Sequence, residues 1–187
     1  IEINPMNLRR YLGISLRNIF PEILNTNNKE IIEEAVRLYR RHYDESGLFI
    51  AELYEGIEDL LISLKNSNEK YKLFIATAKN RPAALTVAKT FMLDQYFEEI
   101  HGPDLGGKMD DKAELLSYMI EQHNLKPEHS IMIGDRSFDM IAGKKNGMKT
   151  IGVTYGYGDL EELENVNADY ICDTAKDIFN IVSSLNS

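Results

Sequence analysis

The chain has 187 residues, 43% of them apolar, and a formal net charge of −9. That supports one cored domain or a domain with a smaller insert and argues against a nucleic-acid-binding surface, which needs clustered Lys and Arg. The single cysteine, Cys172, excludes a disulfide framework and a Cys-rich zinc site. No apolar run nears the roughly 18 residues of a membrane span, and no signal peptide is visible, which fits a reducing cytoplasm.

In chain order, residues up to about Phe49 read as helices with no strand signal. Asn7–Ile14 and Ser15–Leu24 are short and punctuated by Gly13 and Pro21. Asn28–Tyr43 is the clearest: Ile31, Ile32, Ala35, Leu38 and Tyr39 recur at helical spacing, with Asn28 as N-cap. From about Tyr54 helices alternate with short apolar strands. Helices are predicted over Gly56–Lys65, Pro82–Phe91, Lys112–His123, Asp139–Asn146 and Ala175–Leu185, and strands over Lys72–Ala76, Phe97–His101, Ser130–Gly134, Thr150–Val153 and Tyr170–Cys172. Strands apolar on both faces and separated by helices imply a parallel sheet covered on both sides. Such sheets bind ligands at the carboxyl ends of their strands.

The residues just past each strand therefore carry the candidate chemistry. Thr77, Ala78, Lys79 and Asn80 follow the first strand. A hydroxyl and successive backbone N–H groups entering a helix can cradle a phosphate, or simply cap the helix. Lys112 opens its helix against the macrodipole, so an anion should face it: Asp110 and Asp111, or a bound phosphate. Lys108, mid-loop, is its rival. Asp135 and Asp139 follow Ile131-Met132-Ile133-Gly134, and two hard oxygen donors at one strand tip suit Mg²⁺. The loop Thr154-Tyr155-Gly156-Tyr157-Gly158 reaches the same edge as a pocket wall or an ordinary turn. Histidines 42, 101, 123 and 129 show no metal-ligand spacing, His123 and His129 read as surface, and Cys172 reads as packing.

Taken in order, Thr77, Lys112 and Gly134-Asp135-x-x-x-Asp139 resemble three motifs of the haloacid dehalogenase (HAD) superfamily, closest to its phosphoglycolate phosphatase-like branch. Residues 132–148 and 151–158 look like that branch over many consecutive positions, and Leu8-Arg9-Arg10-Tyr11-Leu12-Gly13 resembles the substrate-facing loop of its helical cap. The resemblance implies an α/β fold, a HAD-like Rossmannoid parallel sheet with a C1-type helical cap, with residues 1–50 as cap and 51–187 as core. It implies that Thr77, with Ala78, binds the transferring phosphoryl group, that Lys112 neutralises it, and that Asp135 and Asp139, the latter directly or through water, hold Mg²⁺. Arg9, Arg10 and Gly13 would lie at the substrate-facing edge of the cap.

The family's first strand ends in Asp-x-Asp, whose first aspartate is the nucleophile, and no segment here matches it. That strand is expected upstream of Ile1. The implied activity is Mg²⁺-dependent hydrolysis of a small phosphorylated metabolite through an aspartyl-phosphate, by a monomer or homodimer with no nucleic-acid or membrane partner. The alternative is a non-catalytic module that binds phosphate and Mg²⁺ without the nucleophile. A receiver-type doubly wound domain fits poorly, since it leaves the N-terminal helices without a role.

Overall fold

The structure, a computed structural model, describes residues 8, 10–43, 47, 50–67 and 71–185. Helices α1 (Leu16–Ile23) and α2 (Lys29–His42) pack against each other and bury Ile19, Ile32 and Val36. Each has a side-chain cap. The Ser15 hydroxyl accepts from Arg17 N–H at 3.3 Å, and Asn28 Oδ1 accepts from the N–H groups of Glu30 and Ile31 at 2.9 and 3.3 Å. Of the helix predicted over Asn7–Ile14, the described residues Leu8, Arg10 and Tyr11 wind as a 3-10 helix. A turn closed by Ile14 N–H on Tyr11 O follows, and Gly13 sits at φ +90°, a left-handed conformation that ends the winding.

The α/β part begins with α3 (Ile57–Asn66). Strand β1 (Phe74–Ala76) leads through α4 (Arg81–Thr90) to β2 (Glu99–His101), and α5 (Lys112–Gln122) follows. Then come β3 (Ile131–Gly134), α6 (Ser137–Lys145), β4 (Lys149–Val153), α7 (Leu160–Asn165), β5 (Tyr170–Cys172) and α8 (Ala175–Ser184). All ladders are parallel. β1 pairs with β2, Phe74 opposite Glu99 and Ala76 opposite His101, while β3, β4 and β5 form a separate three-stranded sheet in that order. Among the described residues no ladder joins β1 to β3.

The strand period of two sorts the side chains between layers. Phe74 and Ala76 face α5, where Leu115, Leu116 and Met119 also meet Met132 of β3. A single helix therefore lies across both sheets. Ile75 and Ile100 face the other way onto Ala84 and Ala88 of α4. On β4, Ile151 and Val153 pack with Leu60 and Leu64 of α3 and Ile178 and Val182 of α8. Burying each large side chain contributes about 1.5–3 kcal/mol. No described helix is long and apolar enough to cross a membrane.

Candidate active site

β1 ends at Ala76, and Thr77 comes next. Its N–H donates to His101 O at 3.0 Å, tying the tips of β1 and β2, and its Oγ1 accepts from Lys79 N–H at 3.1 Å. The capping expectation for this segment holds at Asn80, which accepts from Ala83 N–H at 3.0 Å and opens α4.

Lys112 is the first residue of α5. Its Nζ donates to Ala76 O at 2.7 Å and pairs with Asp139 Oδ1 at 3.0 Å, both side chains being largely buried. The anion that pairs with the Lys112 ammonium is thus Asp139, supplied by α6. Of the two neighbours expected to compensate, Asp111 does so at the helix end as N-cap, accepting from Glu114 N–H, while Asp110 pairs with Arg17 of α1 at 3.4 Å.

Asp135 stands at the tip of β3, and its Oδ2 accepts from Tyr157 N–H at 2.7 Å. The loop after β4 is therefore a backbone donor to this carboxylate. It presses so close that a Cβ on Gly158 would lie 1.9 Å from Asp135 O, which only glycine tolerates. Asp139 Oδ2 accepts from Arg136 N–H at 3.2 Å, so both Asp139 oxygens are engaged.

Gly13, Thr77, Ala78 and Lys112 line one cleft of about 190 Å³, with Ser15 and Asn18 on the helical side and Phe138 opposite. Asp139 joins this group through Lys112. Asp135 is not among the cleft's lining residues. Arg10 turns away from the cleft, pairing with Glu22 and Tyr11 at the surface; Arg9 lies outside the described residues. Lys108 stays in its loop, with its N–H on Asp104 Oδ1 at 2.9 Å.

Three contacts fasten the helical pair over the strand tips. Arg17 and Arg40 donate to Leu105 O at 3.0 and 2.8 Å, and Lys79 hydrogen-bonds the Tyr43 hydroxyl at the end of α2. Arg136, buried beside Asp135, donates through Nη1 to Leu12 O, while its Nε meets both Glu162 oxygens at 3.0 and 3.1 Å. Burial works against the Glu162 carboxylate, but Ser137 N–H and the Arg136 guanidinium outweigh it and hold its pKa below the usual range. Arg136 and Glu162 escape sequence reasoning, which placed the Tyr157 loop at this edge but not its N–H on Asp135. The local signal for Arg136 was its position directly after Asp135. Burial pushes the Tyr155 hydroxyl up to about 12 and the Cys172 thiol up to about 11, so neither ionises near neutral pH. Cys172 packs in the core, as its sequence context suggests.

The donor set at the β3 tip fits a hard divalent cation. Asp135 gives one oxygen to Tyr157 N–H and keeps its second carboxylate oxygen for a metal, the oxygen chemistry Mg²⁺ selects. Asp139, engaged on both oxygens, fits a role through water.

The sequence profile of haloacid dehalogenase-like hydrolases matches residues 1–153. The chain is 34% identical over 139 residues to a 5'-nucleotidase of Pseudomonas aeruginosa, covering 74% of this chain and 62% of that protein. It is 31% identical over 146 residues to the tyrosine-protein kinase PtkA of Mycobacterium tuberculosis, covering 78% of this chain and 50% of the kinase. The chain thus spans between half and under two thirds of the length of these two relatives. Its fold matches the crystal structure of a predicted phosphatase from Clostridium acetobutylicum with a TM-score of 0.91 and 34% identity, over 98% of this chain and 84% of that one. The profile takes in the tips of β1, β3 and β4 together with Lys112, and the fold agrees over almost the whole chain: the protein belongs to the haloacid dehalogenase-like hydrolase family.

Proposed function

We propose that this protein hydrolyses a small phosphomonoester with Mg²⁺ as cofactor. The observation that carries the proposal is Lys112. Its ammonium is fixed between Ala76 O and Asp139 at the wall of a cleft that also presents Thr77 and Ala78. A fixed positive charge beside a hydroxyl and backbone N–H groups suits the charge that builds on a transferring phosphoryl group. The named relatives include both a nucleotidase and a kinase, so the choice of hydrolysis rests on these residues and on the likeness to the nucleotidase and the phosphatase.

In this proposal Lys112 neutralises phosphoryl oxygens, the Thr77 hydroxyl donates to one of them, and Ala78 N–H orients the group. Asp135 would hold Mg²⁺ directly and Asp139 through water; when bound, the metal supplies charge neutralisation. The reading also calls for an attacking carboxylate, and the sequence holds no Asp-x-Asp to supply it. That carboxylate displaces the alcohol from phosphorus, and water then cleaves the aspartyl-phosphate to release phosphate. Residues 1–50 act as the cap and 51–187 as the core. The contacts of Arg17, Arg40 and Arg136 across the strand-tip loops support that division.

The test is phosphate release from a panel of small phosphomonoesters by the full-length protein, with and without Mg²⁺. Asp135→Asn should abolish Mg²⁺-dependent turnover yet leave thermal unfolding nearly unchanged, because an amide oxygen still accepts from Tyr157 N–H. Full activity in that variant would remove the metal assignment.

A further inference from the structure

A second set of ligating side chains converges outside the cleft, where β2 meets the end of α5. His101 Nε2 and His123 Nε2 lie 2.9 Å apart, and Glu99 Oε2 lies 3.7 and 3.4 Å from them. The strand alternation explains the pairing. Glu99 and His101 share the face of β2 that looks toward α5, and His123 is the residue that closes α5. The histidines show no metal-ligand spacing along the sequence, and these residues meet through tertiary packing instead.

We propose that Glu99, His101 and His123 form a metal site for Zn²⁺ and similar borderline cations, clipping the edge strand β2 to the C-terminal end of α5. The three donor atoms lie on a circle whose centre is about 2.0 Å from each, which matches the Zn–N and Zn–O lengths of 2.0–2.2 Å. Two imidazoles and one carboxylate favour Zn²⁺, Co²⁺ or Ni²⁺ over Mg²⁺, which prefers oxygen. Three protein ligands leave a fourth position for water on the side of the half-buried Glu99.

The surroundings hold these donors in place. Arg81 Nη2 binds Glu99 Oε1 at 2.8 Å, and its Nε binds Ile100 O at 3.1 Å. The Glu99 carboxylate is thereby oriented with Oε2 toward the histidines. The Arg81 charge also moderates affinity for a cation. His101 is buried, the Phe74 ring lies 4.6 Å from His123, and the Tyr118 ring lies 6.1 Å from His101. Without metal, the imidazole pair can share a hydrogen bond across the same 2.9 Å.

The clip touches the two elements that carry the cleft. His101 O accepts from Thr77 N–H, and the helix that ends at His123 begins with Lys112. The site itself is separate from the cleft lining.

The test uses the full-length protein and Co²⁺ or Zn²⁺ alone. Equilibrium dialysis against Zn²⁺ in excess Mg²⁺ should retain one Zn²⁺ per chain, and Co²⁺ should give the intense visible bands of four-coordination. His123→Ala and Glu99→Gln should each weaken binding by at least about 10–100-fold, while Asp135→Asn and His129→Ala leave it unchanged. Phosphate release by His123→Ala with Mg²⁺ should stay at the wild-type level. Weak six-coordinate Co²⁺ spectra, wild-type affinity in both His123→Ala and Glu99→Gln, or loss of binding in Asp135→Asn would overturn the assignment.

Discussion

At Thr77 the proposed function asks one hydroxyl to serve two purposes. Its oxygen accepts from Lys79 N–H at 3.1 Å, which uses a lone pair and not the proton. The proton can therefore serve a phosphoryl oxygen in the cleft. Thr77→Val is predicted to lower kcat on the order of 100-fold, as for loss of one preorganised donor, while costing about 1 kcal/mol or less in denaturant unfolding. Unchanged kcat would reduce Thr77 to a turn residue. Lys112 was legible in the sequence because a lysine at the positive end of a helix needs an anion. Its partner was not, since Asp139 arrives from another helix and the nearby acidic residues looked sufficient. The same blindness to long-range pairing hid His101 and His123 until β2 and α5 were docked.

At the scale of elements, β4 and β5 are tied by a polar pair as well as by their ladder. Buried Thr150 donates both N–H and Oγ1 to Asp169 Oδ2, at 2.8 and 2.6 Å, and accepts from Asp169 N–H at 3.0 Å. The Thr150 hydroxyl chiefly, then its N–H and Lys144, hold the Asp169 pKa below its usual value against a desolvation that opposes them. A depressed carboxylate stabilises the fold above the unfolded-state pKa, and that contribution is lost as pH falls through the folded value. Thr150→Val is predicted to cost about 1–3 kcal/mol at neutral pH and to flatten the acid limb of the stability profile; an acid limb identical to wild type would refute it. Elements with strong apolar period were legible: α2 with its Asn28 cap, and the five strands, of which the structure trims β1, β2 and β3 by a residue or two, extends β4 by Lys149 and keeps β5 as expected. The short helix α7 was missed because its sequence, LEELEN, is polar and buries only Leu163. The helix expected over Asn7–Ile14 is 3-10 at Leu8, Arg10 and Tyr11 and stops before Gly13.

Across the whole molecule, the described strands form two sheets, and α5 spans both. Its first residue repeats that bridge in charge: Lys112 reaches Ala76 at the end of β1 and Asp139 just beyond β3. Helices α1 and α2 cover the same edge, held by Arg17, Arg40 and Arg136. The order of the motifs along the chain was legible. The closure of the helical pair was not, because it depends on arginines reaching backbone carbonyls, which no residue pattern marks. The central claim is that the tips of the two sheets work as one phosphoryl site through Lys112. The most direct measurement is kcat/KM for phosphate release by full-length Lys112→Met, on protein shown to be folded by its unfolding transition. The account predicts a loss of at least about 100-fold; a value within about threefold of wild type, where a uniformly bound charge is all that is lost, would contradict it.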